Sequence, residues 1–244
     1  MQFGLIGKSL SHSFSKAYFD EKFRKMGLED CRYDLFELSD IEELPALIAR
    51  HPNLRGFNVT IPYKMSILPH LNALSKTAAA IGAVNTVLVA REGNDTLLTG
   101  FNTDFEGFIQ SLPPDGAPHR AMVIGAGGAA AAVMYALRGM GIPYRQVSRK
   151  GGGGQLEITR VSAKDIEDCP FIINCTPVGT RGEPQRLLSL PYEALTPNHY
   201  LYDLVYNPGV TPFLEEGRRR GARVQNGLEM LRLQAEAAWR IWNG

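Results

Sequence analysis

The segment with the fewest structural options is "VIGAGGAAAAV", residues 123–133, where an apolar strand runs into Gly125, Gly127 and Gly128 and then an alanine-rich helix. A strand–turn–helix without side chains at the bend lets backbone N–H groups and the helix N-terminus come close to a pyrophosphate. Ala130 stands where the full dinucleotide fingerprint has its third glycine, a replacement that the looser form permits. A plain tight turn has the same pattern, so the next strand matters. It ends in "QVSRK", residues 146–150, near where a unit specific for NAD carries an acid for the ribose 2′-hydroxyl. Here Ser148, Arg149 and Lys150 stand instead, and two cations with a hydroxyl suit a 2′-phosphate, which points to NADP rather than NAD. An exposed basic turn is the alternative for that triplet.

Around this unit the chain alternates strand and helix. "MQFGLIG" reads as a buried strand, "KSLSHSFSK" as a polar loop into a helix bearing Phe19, Phe23 and Met26, and "CRYDLFELS" as a second strand. "DIEELPALIARH" is a helix opened by Asp40, and "LRGFNVTIP" a third strand ending at Pro62. A mostly helical stretch follows. "NTVLVA" and "TLLTGF" then form a hairpin around "REGND". The order predicts an α/β chain: an N-terminal, mainly parallel α/β domain over residues 1–104, and a Rossmann-like NADP-binding domain over 105–225. The last helix, within 226–244, is expected to pack back on the first domain, with Leu228, Leu231, Ala235, Ala238 and Trp242 on one face and Gln234 at its edge. "GGGG" at 151–154 reads as a flexible surface loop.

Lys and Arg number 26 against 25 Asp and Glu, a net charge of +1, which gives no electrostatic case for nucleic acid or an anionic membrane as partner. Cys31, Cys169 and Cys175 have no metal or redox spacing and read as reduced thiols of a soluble, cytoplasmic protein, with no metal site and either a monomeric or a homodimeric state open. The five histidines are scattered and read as surface or loop residues, His12 lying near the first serines.

Polar groups recur at strand ends in the first half: Ser13 and Ser15 after strand one, Thr60 and Lys64 after strand three, then Asn85, Asn102 and Asp104 around the hairpin. Ligands of open parallel sheets bind beyond the carboxyl ends of the strands. Hydroxyls, amides, one ammonium and one carboxylate suit a small polyhydroxylated anion. Lys64 beside Asp104 makes a pair able to move a proton, and with a dinucleotide unit the implied chemistry is alcohol oxidation. Helix capping is the plainer role for Ser13, Ser15 and Asp104.

With these residues in place the sequence resembles the shikimate dehydrogenase family along nearly its whole length. The motifs are "HSFS" (12–15), "NVTIPYK" (58–64), "GAVNT" (82–86), "GFNTDFEG" (100–107), "GAGGAA" (125–130), "SRK" (148–150), "NCTPVG" (174–179), "YDLVYNPGVT" (202–211) and "NGLEMLRLQA" (226–235). The resemblance implies NADP-dependent interconversion of 3-dehydroshikimate and shikimate in aromatic amino-acid biosynthesis. It gives Ser13 and Ser15 the substrate carboxylate, and Thr60, Asn85, Asp104 and Gln234 the ring hydroxyls or keto group. Tyr206 lies near the substrate, and Lys64 is the acid/base with Asp104 as partner. Gly125, Ala126, Gly127, Gly128 and Ala129 hold the pyrophosphate, and Ser148, Arg149 and Lys150 the 2′-phosphate. Thr176, Leu204 and Gly227 lie against the cofactor. Lys16 stands where the family usually has proline, Lys76 where an acid is frequent, and "SRK" where Asn-Arg-Thr is usual. A broader quinate/shikimate dehydrogenase and a non-catalytic NADP-binding sensor are the alternatives.

Overall fold

The computed structural model describes residues 1–11, 13–93, 95–114, 116–182 and 187–244. His12 and the Asn94 position of the expected hairpin loop lie outside them. The chain divides into two compact units, Met1–Thr103 with Ala235–Gly244, and Asp104–Gln234.

The first unit contains β1 (Gln2–Gly7), α1 (Phe14–Lys25), β2 (Arg32–Glu37), α2 (Leu44–Arg50), β3 (Leu54–Val59), α3 (Tyr63–Ser66), β4 (Ala73–Leu74), α4 (Lys76–Ile81), β5 (Thr86–Glu92) and β6 (Asp95–Phe101). Its sheet has the order β2-β1-β3-β5-β6-β4. β1 pairs in parallel with β2 and β3, whereas β3–β5 and β5–β6 are antiparallel, so the expected mainly parallel sheet is mixed. β1 is buried at every position because both faces of the sheet are covered. One face packs Ile6, Phe57, Val59 and Val87 with α2, and the other packs Phe3 with Phe19, Phe23, Trp239 and Trp242. Met26, expected on the buried stripe of α1, is its C-cap and 51% exposed, since the helix has already ended at Lys25.

In the second unit α5 (Asp104–Ser111) is followed by β7 (Ala121–Ile124), α6 (Gly128–Gly139), β8 (Tyr144–Ser148), β9 (Leu156–Glu157), α7 (Ala163–Asp168), β10 (Phe171–Asn174), β11 (Tyr200–Asp203), α8 (Pro212–Arg219), β12 (Arg223–Asn226) and α9 (Leu228–Asn243). The sheet order is β12-β11-β10-β7-β8-β9, with every pairing parallel. Met122, Ile124, Ile172 and Leu201 fill one face, and Val123, Phe171, Ile173 and Tyr202 the other. α9 crosses the division at Gln234/Ala235. Its buried residues include Met230, Gln234, Ala237 and Trp239 besides the expected Ala235, Ala238 and Trp242, while Leu228 and Leu231 are half-buried.

Among the described residues no helix is long and apolar enough to cross a membrane, and no cluster of acids, histidines or cysteines could hold a metal ion. His199, expected as a surface or loop residue, lies in the loop before β11 but is only 4% exposed, its ring held by Thr196 and the Ile166 carbonyl.

Candidate functional site

In the first unit β1 connects to β2 on one side and is flanked by β3 on the other, so the chain reverses its direction of build between β1 and β3. A crevice opens beyond the carboxyl ends of strands at such a point. Ser13 and Ser15 lie in the segment after β1. Ser13 is the N-cap of α1, its oxygen accepting from the Ser15 amide at 3.2 Å, which leaves its own hydroxyl proton available. Thr60 follows β3 and its amide donates to the Ile6 carbonyl at 2.9 Å, which ties the two strand ends together. β3 stops at Val59, short of the expected end at Pro62, and Lys64 sits in the single turn of α3. That turn is anchored by Tyr63, whose hydroxyl donates to the Leu38 carbonyl at 2.5 Å, and by the Val84 amide, which donates to the Lys64 carbonyl at 2.7 Å.

Asn85 immediately precedes the antiparallel β5 and therefore lies at the same end of the sheet, its carbonyl accepting from the Val59 amide at 2.8 Å. Its side chain is 2% exposed: Nδ2 donates to Thr103 Oγ1 at 2.9 Å, and Oδ1 accepts the Thr103 amide at 2.6 Å. Asn102 Nδ2 donates to the Ala83 carbonyl at 2.9 Å. Ser13, Ser15, Thr60, Lys64 and Asn85 thus share one sheet edge, with Asn102 and Thr103 closing it. Behind them runs a buried polar chain that joins Tyr33, outside every motif, to Asn58, Asn85 and Thr86. Tyr33 donates to Asn58 Oδ1 at 2.8 Å, and Asn58 Nδ2 donates to the Asn85 carbonyl and to Thr86 Oγ1. Burial holds the Tyr33 phenol well above its usual range, against the hydrogen bond from Ser15.

Asp104, Tyr206 and Gln234 belong to the second unit. Asp104 is the first residue of α5 and is buried, and Gln234 lies on α9, packed against Gly107 of α5. Tyr206 is half-buried in the loop after β11. The sheet reverses its build between β7 and β10, and the glycine turn sits at that point. Gly125 has φ +137°, a conformation side chains avoid, and an added Cβ would press on Cys175 at 3.2 Å. Gly127 is the N-cap of the twelve-residue α6 and supplies no side-chain cap, so the first-turn amides face outward with Ala126 and Gly127 exposed. Gly128 and Ala129, in that first turn, are half-buried. At the end of the neighbouring β8, Arg149 and Lys150 are exposed, and the Ser148 hydroxyl accepts from the Gly151 amide at 3.1 Å. A bare helix N-terminus on a bend closed to side chains, beside two exposed cations at the neighbouring strand end, fits the pyrophosphate and the 2′-phosphate of NADP.

Thr176 follows β10, and both its amide and its hydroxyl donate to Asn174 Oδ1, at 2.9 and 2.7 Å. Leu204 follows β11. Its carbonyl lies where a Cβ on Gly227 would be, so only glycine lets the β12–α9 turn close on that loop. One ionisable group under these loops escaped the sequence reading: Asp203, fully buried, which burial pushes up to about 6 against hydrogen bonds from Thr211, Val205 and Asn174. Its sequence signals are its place in the motif "YDLVYNPGVT" and an acid inside the apolar run "YLYDLVY". The thiol of half-buried Cys175 is also raised, by desolvation and by the charges of Asp203 and Asp104.

Residues 5–87 match a family model described as the shikimate dehydrogenase substrate binding domain. Shikimate dehydrogenase (NADP(+)) of Pelodictyon phaeoclathratiforme is 37% identical, over 99% of this chain and 91% of that protein. Among solved structures, shikimate 5-dehydrogenase of Thermus thermophilus in complex with NADP(H) and shikimate is similar with a TM-score of 0.84 and 34% identity, over 100% of this chain and 94% of that one. Quinate dehydrogenase of Corynebacterium glutamicum in complex with NAD is similar with a TM-score of 0.82 and 28% identity, over 100% and 94% of the two chains.

Proposed function

The chain belongs to the shikimate dehydrogenase family, and we propose that it is an NADP-dependent oxidoreductase that reversibly reduces 3-dehydroshikimate to shikimate, a step toward aromatic amino acids. The observation that carries the reading is the single sheet edge on which Ser13, Ser15, Thr60, Lys64 and Asn85 gather. Ser13 and Ser15 take the substrate carboxylate. Thr60, Asn85, Asp104 and Gln234 take the ring oxygens, with Tyr206 beside them. The glycine turn from Gly125 to Ala129 holds the pyrophosphate, Ser148, Arg149 and Lys150 the 2′-phosphate, and Thr176, Leu204 and Gly227 line the cofactor. NADPH, when bound, supplies the hydride to the carbonyl carbon.

Lys64 gives the proton that the carbonyl oxygen needs as negative charge builds on it, and Asp104 holds the ammonium toward that oxygen. In the oxidative direction Lys64 takes the hydroxyl proton back. Three free cysteines accord with a reducing, cytoplasmic setting.

Absorbance of the reduced nicotinamide, followed with shikimate or quinate against NADP or NAD, tests the reading. The expected outcome is fast reduction with shikimate and NADP and slow reduction in the other three pairings. Equal rates with quinate would move the protein to the broader specificity suggested by its likeness to a quinate dehydrogenase. Inactivity of folded protein in all four would leave an NADP-binding protein without catalysis.

A further inference from the structure

The carboxyl group of Asp203 sits in the floor beneath the loops that follow β10 and β11. Its Oδ1 accepts from Asn174 Nδ2 at 2.9 Å and from the Val205 amide at 3.0 Å, and its Oδ2 accepts from Thr211 Oγ1 at 2.5 Å. Asp203, Asn174 and Thr211 are each at most 1% exposed. A buried carboxyl costs stability unless hydrogen bonds offset its lost hydration, and these three bonds do so while fixing the groups that donate them.

The first sets the orientation of the Asn174 amide. The Asp203 oxygen accepts, so Nδ2 must face it and Oδ1 must face the other way. There Oδ1 takes the amide and the hydroxyl of Thr176. The single hydroxyl proton of Thr176 is therefore spent inward, and with one lone pair accepting from the Val178 amide at 3.3 Å its oxygen can present only the other lone pair outward. The second bond pins the Val205 amide between Leu204 and Tyr206. The third holds Thr211, whose oxygen also caps α8 by accepting from Leu214. One carboxyl group thus fixes two loops and one helix start.

We propose that Asp203 is a positioning residue: through Asn174 and Val205 it fixes the Thr176 and Leu204–Tyr206 loops, and it makes Thr176 a hydrogen-bond acceptor toward the cofactor. Thr176 accordingly meets a donor group, a ribose hydroxyl or an amide N–H, rather than a phosphate oxygen. The inference rests on the proposed NADP reading of this unit.

The test measures NADP affinity of the purified full chain by calorimetry, together with kcat and KM. Asp203→Ala is expected to raise the NADP dissociation constant about ten-fold, with kcat changing less than KM, the scale of losing one well-made buried hydrogen-bond set. Asp203→Asn keeps the acceptor toward Asn174 and Val205, and restores the affinity to within about three-fold. Tyr202→Phe removes another buried hydrogen bond of the same unit, Tyr202 to Ser111, and leaves the affinity unchanged while lowering stability. Asp203→Ala matching Tyr202→Phe, less stable with unaltered affinity, would overturn the proposal. Arg149→Ala separates this from failure of the reading beneath it. If Arg149→Ala weakens NADP and Asp203→Ala does not, positioning is wrong and the NADP site stands. If neither weakens it, the NADP reading falls and the proposal with it. Should Asp203→Ala not fold, Asn174→Ala cuts the same link and carries the same expectation, and unaltered affinity there is equally fatal.

Discussion

Gly227 and Lys64 show two ways in which a single position can be constrained. At Gly227 the constraint is steric: an added Cβ would lie on the Leu204 carbonyl, a backbone atom that cannot swing aside. Gly227→Ala is expected to cost roughly 2 kcal/mol, the scale of overpacking a filled site, and to weaken NADP binding because the Leu204 loop must move. Denaturant titration and calorimetry would show both, and an unchanged midpoint would refute the packing argument. At Lys64 the constraint is chemical. Lys64→Ala should lower turnover by roughly two to four orders of magnitude, the usual worth of a positioned acid or base, with shikimate affinity much less affected. A fall of only a few-fold would make Lys64 a binding residue. The sequence made Lys64 and Arg149 visible because charged residues at strand ends stand out against apolar runs. Asp203 and Asn174 stand inside "YDLVYNPGVT" and "NCTPVG", but neither motif gave them a role. A lone polar residue inside "YLYDLVY" or "FIINC" becomes informative only once pairing places Asn174 opposite Asp203.

Among the elements, α2 shows how local chemistry sets a helix start. Asp40 and Glu43 cap the preceding turn reciprocally: the Asp40 side chain accepts from the Glu42 amide at 3.0 Å, and Glu43 accepts from the Asp40 amide at 3.1 Å. Asp40→Ala should therefore lower stability by about 1 kcal/mol, read as a shift of the urea midpoint without loss of NADP affinity, since the cap lies in the first unit. A loss of affinity instead would mean that the cap acts beyond its own helix. The cap was readable from "SDIEEL", and the hairpin strands from their alternation. Other elements were not. β12, "RVQN", has no apolar pattern and exists because β11 offers it a ladder of backbone partners. α8 opens with "PFLEEG", too short and too charged to show periodicity, yet Phe213 and Leu214 are buried against the sheet. Lys64 was read at the end of a strand because Val59 and Ile61 alternate with polar residues up to Pro62, while the pairing that would extend β3 stops at Val59.

For the whole molecule the titration of Asp203 has a sign opposite to that of most carboxylates. Its folded-state value, about 6, lies above the ordinary carboxylate value, so the native state holds the proton more tightly than the unfolded chain. The resulting stability is absent above pH 6 and grows as pH falls from 6 toward 4. Glu43, Asp168 and Glu236, all partly exposed, are lowered and act the other way, losing their contributions as pH falls through their folded-state values. Cys175 and Tyr192 feel the Asp203 charge, but both stay protonated across this range. The difference in thermal midpoint between the parent and Asp203→Asn should therefore shift in the parent's favour as pH falls from 6 to 4, and a difference independent of pH would contradict the assignment. The division of the chain also governs the order in which the protein can be made. Residues 104–234 are one unbroken stretch, whereas the unit that precedes them lacks Ala235–Gly244 until the whole of the second unit has been synthesised. Trp242 stacks on Phe3 and Trp239 meets it edge-on, and the Trp242 indole donates to the Val87 carbonyl at 3.0 Å. Burying each such ring is worth about 3–5 kcal/mol, a large part of a domain's total stability of about 5–15 kcal/mol. The first half of the chain to leave the ribosome is thus the last to complete its core, and until then its aromatic face is exposed to other nascent chains and to chaperones.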